Sequence, residues 1–219
     1  METPLLIGTY GWAHPAWNSV FYDPDLPPEW RLSWYANHLR AVMVPAQSWP
    51  TLDVAAVSTL LDDTDETFRF VIELPPADRQ NAKPPWEDSD RIATRVRAFA
   101  GQADAVLLSL ADSVAPEWPA LERFRAALHP AALCLDGLAA SQLPAGFGSC
   151  WCPAKDQPLV PSDYTITCCD SGEPRLLRKI IEDLQRELSG RGALILTDTV
   201  RGYEHAHEAR IIAELLEAT

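Results

Sequence analysis

Three carboxylates each close an apolar, strand-like run: Glu73 after Phe68-Arg69-Phe70-Val71-Ile72, Asp136 after Ala132-Leu133-Cys134-Leu135, and Asp198 after Ala193 to Thr197. Two converging carboxylates push their pKa values apart, which suits one as general acid and the other as general base. The competing reading is a solvated or Arg-paired loop carboxylate in each case, since perturbed charges are also structural. His14 sits in the first loop, and its unperturbed pKa near neutrality suits a proton shuttle or a ligand anchor. A lone loop histidine is more often surface structure. His205 and His207 are two positions apart, a spacing that binds metal on an extended segment. At the start of a helix they point about 200° apart, and a capping or surface role fits better.

Five cysteines are an odd count. On strands, Cys150 and Cys152 share a face, whereas the adjacent Cys168 and Cys169 oppose each other. Three inward thiolates from neighbouring strands are a zinc ligand set. Cys-x-Cys plus Cys-Cys matches common zinc spacings poorly, and small soft thiols fill barrel cores well. The expectation is therefore core filling, with no metal and no cofactor assigned. Trp12, Trp17, Phe21 and Tyr22 offer apolar walls for a pocket, or equally a packed lid beneath the first loop. No nucleophile elbow, phosphate-gripping loop or zinc-protease helix is present, so acyl chemistry on serine has no support.

These groups hang on a regular alternation of elements. Leu5 to Tyr10 reads as a buried first strand that opens into a Gly- and Pro-punctuated loop. A helix spans Trp30 to Leu39, then come a strand at Ala41 to Ala46 and a helix from the Thr51-Leu52-Asp53 cap through Leu61. A strand at Phe68 to Leu74 leads into a long polar loop from Pro75 to Asp90, a length that is often functional. A helix from Arg91 to Gln102, a fully apolar strand at Ala105 to Leu110 and a helix started by Pro116 and ending near Leu128 follow. Strands at 132–136, 147–152 and 164–169 are separated by short connections. Glu173 to Leu188 is the strongest helical pattern; a strand at 193–198 and a helix from His207 to Glu217 close the chain.

Eight strands alternating with helices predict an α/β fold, a TIM (β/α)8 barrel with residues 1–219 as one domain. A doubly wound open sheet is the alternative. It calls for a Gly-rich phosphate turn after the first strand, and Gly8-x-x-Gly11 lacks the third glycine of that fingerprint. Barrel chemistry sits at the C-terminal strand ends, which here are Tyr10, Gln47, Glu73, Ser109, Asp136, Lys155, Asp170 and Asp198.

A hydrophobic share of 47% and eight Trp supply an ample core. Eight Trp are also many for one core, which leaves room for a homodimer without locating an interface. Net charge is −13, and such a surface repels phosphate backbones, so no nucleic-acid partner is expected. No apolar run is long enough to span a bilayer, and Met1-Glu2-Thr3-Pro4 does not resemble the start of a secretory signal. The expected compartment is cytoplasmic, with no membrane partner.

Ile7-Gly8-Thr9-x-Gly11-Trp12, followed by Pro15, Trp17 and Phe21-Tyr22, resembles the start of the YecE-like family, a TIM-barrel domain of unknown function. Trp34-Tyr35-Ala36 looks like that family's first helix, Phe68-Arg69-Phe70 its third strand, and Gly202-Tyr203 with Ala209 and Arg210 its ending. The resemblance implies a barrel and no settled reaction. Departures from the family pattern are numerous. Its second strand reads Val-Glu-Ile-Asn-Ser-Thr-Phe-Tyr, whereas here Val42 to Trp49 puts Met43 for the Glu and Pro45 for the Asn. The third strand's Lys is replaced by Glu73, and the Thr-His pair that follows it has no counterpart before Lys83. The fifth strand's Glu and Arg are absent around Cys134 to Asp136, and the eighth strand's Asn pair becomes Asp198-Thr199.

Two functions follow as expectations. One is a non-catalytic relative that keeps fold and pocket as a ligand-binding or scaffold protein, with Tyr10, Trp12, His14, Trp17, Tyr22 and Tyr203 facing a small polar ligand. The other is an enzyme in which Glu73, Asp198 and Asp136 do acid/base work in a hydrolase- or lyase-type step. The loss of the family's polar groups at Met43 and Pro45 favours the first.

Overall fold

The computed structural model describes residues 5–76, 84–111, 115–139, 142–155, 158–159, 162–187 and 191–217. The N-terminal tetrapeptide, Lys83 and Leu188 discussed above lie outside these residues.

Eight strands close into a parallel barrel in sequence order: β1 Leu6–Tyr10, β2 Ala41–Val44, β3 Arg69–Glu73, β4 Ala103–Ser109, β5 Ala132–Asp136, β6 Gly148–Trp151, β7 Tyr164–Cys169 and β8 Arg191–Leu196. The closing pair sets Leu6 opposite Ala193 and Thr9 opposite Leu196. Both faces of such a strand are covered, which is why β2 and β4 read as continuous apolar runs. Alternate residues point to the two layers of core. Met43, Val71, Leu107, Ile166 and Ile195 fill the lumen, while Val42, Ile72, Val106, Leu108 and Leu194 face the outer helices.

The helices are α1 Arg31–Ala36, α2 Val54–Asp62, α3 Ser89–Ala98, α4 Trp118–Leu128, α5 Pro174–Glu187 and α6 Gly202–Glu217. Helix α5 buries Leu177, Ile180, Ile181 and Leu184, the i, i+3, i+4, i+7 stripe expected of a helix laid on a barrel. Asp53 caps α2 by accepting from Ala56 N at 2.8 Å. The proline in the first turn of α4 is Pro119; Pro116 precedes the helix. The closing helix begins at Gly202, earlier than its apolar periodicity suggests. The cause is a turn at Asp198, whose Oδ1 accepts from Val200 N at 2.8 Å and whose carbonyl accepts from Gly202 N at 2.9 Å. Among the described residues no α-helix lies between β5 and β6 or between β6 and β7.

Two devices pin the strands. Tyr35 of α1 reaches between β1 and β2, donating to Ala41 O at 2.8 Å and accepting from Thr9 N at 3.1 Å. Gly8 of β1 lies so close to β2 that a Cβ there would stand 2.0 Å from Ala41 O. At the N-terminal end of the barrel, buried Asp104 accepts from Tyr164 Oη at 2.7 Å and from Arg191 Nη1 at 2.8 Å. A buried charge needs such partners, and this end of a TIM barrel serves stability rather than chemistry.

Candidate functional site at the barrel mouth

At the opposite end, β1 and β3 are bridged by polar groups. Tyr10 ends β1 and donates its hydroxyl to Glu73 Oε2 at 2.8 Å. The same oxygen accepts from Ala46 N at 2.9 Å, where the chain leaves β2 through buried Pro45. Tyr10 Oη also approaches Gln47 Oε1 at 3.3 Å. Burial, then donation to Glu73 and the charge of that carboxylate, hold the Tyr10 phenol well above its usual range.

The other two carboxylates have separate partners. Asp136, at the end of β5, pairs with Lys155 at 3.7 Å. The charge of Asp136, followed by that of Cys152, raises the lysine. Asp198 belongs to the turn before α6, with Oδ2 3.8 Å from His205 Nδ1. Partial burial opposes its ionisation, but the N–H groups of Val200 and Arg201 and the charges of His205 and Arg201 outweigh that and hold it below the carboxylate norm. Among the described residues, Glu73, Asp136 and Asp198 do not form a group close enough to share one ion.

One group does. Cys150 on β6, Cys152 just past it and Cys168 on β7 bring their sulfur atoms within 4.8 Å of one another, all three half-buried. The register that pairs Cys150 with Ile166 places Cys168 one pleat nearer the mouth. The neighbouring Cys150 and Cys168 thiols, aided by the Lys155 charge, hold the Cys152 thiol below its usual range. The reciprocal bonds to Cys152 and Cys168, together with burial, push Cys150 far up. Cys168 is drawn down by its bond with Cys150, yet donation to Cys152 and burial leave it raised. Cys169 points the other way and donates to Ser171 O at 3.4 Å. Cys134 lies deeper in the lumen, fully buried. Strand alternation thus separates the thiols as the sequence implies. Their convergence needed the β6–β7 register, which no local pattern carries.

The first-loop aromatics form a packed layer. Trp17 is fully buried, stacked edge-on against His14 at 4.7 Å, Phe21 at 5.8 Å and Tyr203 at 5.5 Å. Tyr22 is also buried, and its hydroxyl donates to Trp12 O. Neither Trp17 nor Tyr22 presents a free face to the mouth. His14 Nε2 lies 2.5 Å from Tyr10 O and props the end of β1. Tyr203 stacks on Phe21 at 4.9 Å and lines, with His38, His207 and Ile211, a cavity of about 590 Å³. That cavity lies between α6 and the end of α1, apart from the mouth. His207 is exposed while His205 is buried, so the two do not share a ligand. Of the six ligand-facing candidates, Tyr10 stands among the polar groups of the mouth, His14, Trp17, Tyr22 and Tyr203 pack in the loop layer and its flank, and Trp12 lies half-buried against the outer core.

The family pattern described as "Protein of unknown function DUF72" matches residues 6–137, more than half of the chain. The chain belongs to the DUF72 family. The YecE-like resemblance of its opening is to this same family. Solved DUF72 proteins share its fold. One from Thermotoga maritima is 17% identical, covers 98% of this chain and 100% of its own, and superposes with a TM-score of 0.71. One from Enterococcus faecalis V583 is 11% identical over 96% of this chain and 95% of its own, with a TM-score of 0.70. A putative uncharacterized protein from Parabacteroides distasonis is 7% identical over 98% of this chain and 99% of its own, at 0.55. Among curated proteins none matches. At these identities the likeness establishes the barrel and nothing about chemistry.

The departures from the DUF72 pattern have definite places. Met43, at the position where the resemblance implies a Glu, is an apolar lumen residue, 1% exposed. Pro45 delivers Ala46 N to Glu73. Residues 77–83, which follow the third strand and end at Lys83, lie outside the described residues.

Proposed function

We propose that this DUF72 protein is a non-catalytic relative that holds a small polar ligand at the barrel mouth, with its carboxylates acting as scaffolding. The observation that carries this reading is the double engagement of Glu73 Oε2 by Tyr10 and Ala46 N. That oxygen joins β1, β2 and β3, which ties Glu73 into the barrel wall as a strut. Asp136 is turned to Lys155 and Asp198 to the α6 turn. Polar groups still ring the opening: Tyr10, Gln47, Asp136 and Lys155 are exposed or half-buried. The reading excludes nucleic acid on the strength of the −13 net charge. It also places the protein in the cytoplasm, where five free cysteines persist.

The test is thermal unfolding of Glu73→Gln, Asp198→Asn and the double variant at neutral pH. Structural carboxylates without shared partners predict that both substitutions lower Tm and that the losses add. If both raise Tm, and non-additively, the carboxylates are crowded functional groups. The hydrolase- or lyase-type reading then takes precedence.

A further inference from the structure

We propose that Cys150, Cys152 and Cys168 form a site for one soft divalent cation of the zinc class, bound by three thiolates with a fourth position open to the barrel mouth. This goes beyond the ligand-binding reading and does not depend on it.

The geometry is close to what the ion requires. Tetrahedral zinc with bonds of about 2.3 Å holds its sulfur ligands about 3.8 Å apart. The three sulfur atoms already lie within 4.8 Å of one another, a gap that small side-chain rotations close. Two of them are carried by neighbouring strands, with Cys150 opposite Ile166 in the β6–β7 ladder. The third, Cys152, starts the turn that leads through Pro153 to Lys155. Two of the donors are thus set side by side by one strand ladder.

Donor chemistry sets the class of ion. Thiolates select zinc-like and softer metals over magnesium or calcium, which take oxygen donors. Three protein ligands leave one tetrahedral position unfilled, the arrangement in which zinc keeps a water or takes an incoming ligand. The three cysteines are half-buried, and Cys152 begins the exposed turn that carries Lys155. The Asp136–Lys155 ion pair stands beside the three cysteines. The remaining cysteines show what core filling looks like. Cys134 is fully buried in the lumen, and Cys169 faces the outer core.

The test is a cobalt(II) titration of the fully reduced, chelator-treated chain, followed by competition with zinc(II). The expected result is a sulfur-to-cobalt charge-transfer band that saturates at one equivalent and is bleached by zinc. Cys168→Ser and, independently, Cys150→Ala should weaken the apparent affinity by more than about 100-fold, beyond the loss usual for an outer hydrogen-bond partner. Cys169→Ser should bind as the wild type does. Far-UV circular dichroism of each metal-free variant verifies that it is folded. Wild-type protein that shows no saturable one-equivalent band overturns the proposal, as does a band that saturates with wild-type affinity in a folded Cys168→Ser or Cys150→Ala protein.

Discussion

Tyr10 and Glu73 are 63 residues apart in sequence, yet the phenol of one meets the carboxylate of the other at 2.8 Å across the barrel mouth. The bond links β1 to β3 over the end of β2, so it closes a gap in the wall that the strand ladder cannot close. Tyr10→Phe removes this donor and leaves Glu73 with Ala46 N alone. A hydrogen bond to a charged group is worth about 1.5–3 kcal/mol, and partial exposure puts this one near the lower end. A fall in Tm of roughly 3–6 °C is expected. Because Glu73→Gln weakens the same bond, the two losses should be less than additive in a double-mutant cycle. Full additivity would show that the contact contributes nothing to stability.

Gly8→Ala tests the close approach of β1 to β2. The added methyl would sit 2.0 Å from Ala41 O, and its neighbour is backbone rather than a side chain that can swing aside. Overpacking of this kind costs about 3 kcal/mol, the upper part of its usual range. Thermal unfolding should shift down by roughly 10 °C. An unchanged Tm would mean that the strands separate freely at this point.

Alkaline pH should unfold the protein cooperatively. Burial is the leading cause that holds the phenols of Tyr10, Tyr22, Tyr35, Tyr164 and Tyr203 above their ordinary value of 10.0. The folded chain therefore keeps these protons more tightly than the unfolded chain does. This stabilisation is complete below about pH 10 and is lost progressively as pH rises above it. Tyrosinate absorbance should appear together with loss of the far-UV signal. Five phenols titrating near pH 10 in a chain that keeps its helical signal would contradict the burial argument.

The barrel was legible because two-sided burial leaves a plain trace, short apolar runs such as Ala105 to Leu110 between turn residues. Helix α5 was legible for the complementary reason, since its buried stripe recurs at helical spacing. The start of α6 was not. The glycine at 202 reads as a break, and the signal that begins the helix is an aspartate turn four residues earlier. The mouth was half legible. Strand-end logic picked out Glu73, Asp136 and Asp198, but their partners are an amide on Ala46, a lysine on the next loop and a turn of their own. None of these follows from residue type. The thiols show the same limit: alternation sorts Cys168 from Cys169, while the meeting of Cys168 with Cys150 is a matter of register between two strands.

Strand β6 has no α-helix on either connection among the described residues, and its ladder to β5 consists of Cys134 opposite Gly148 and Leu135 opposite Ser149. A wall segment with so short a ladder on one side is where local opening is expected to cost least. Two of the three clustered sulfur atoms ride on that segment and its immediate exit, and the third rides on the well-paired β7. A ligand gripping all three would clasp the loosest stave of the cask to a firm one. Occupancy of the mouth and closure of the wall would then be one equilibrium, read equally well from either side.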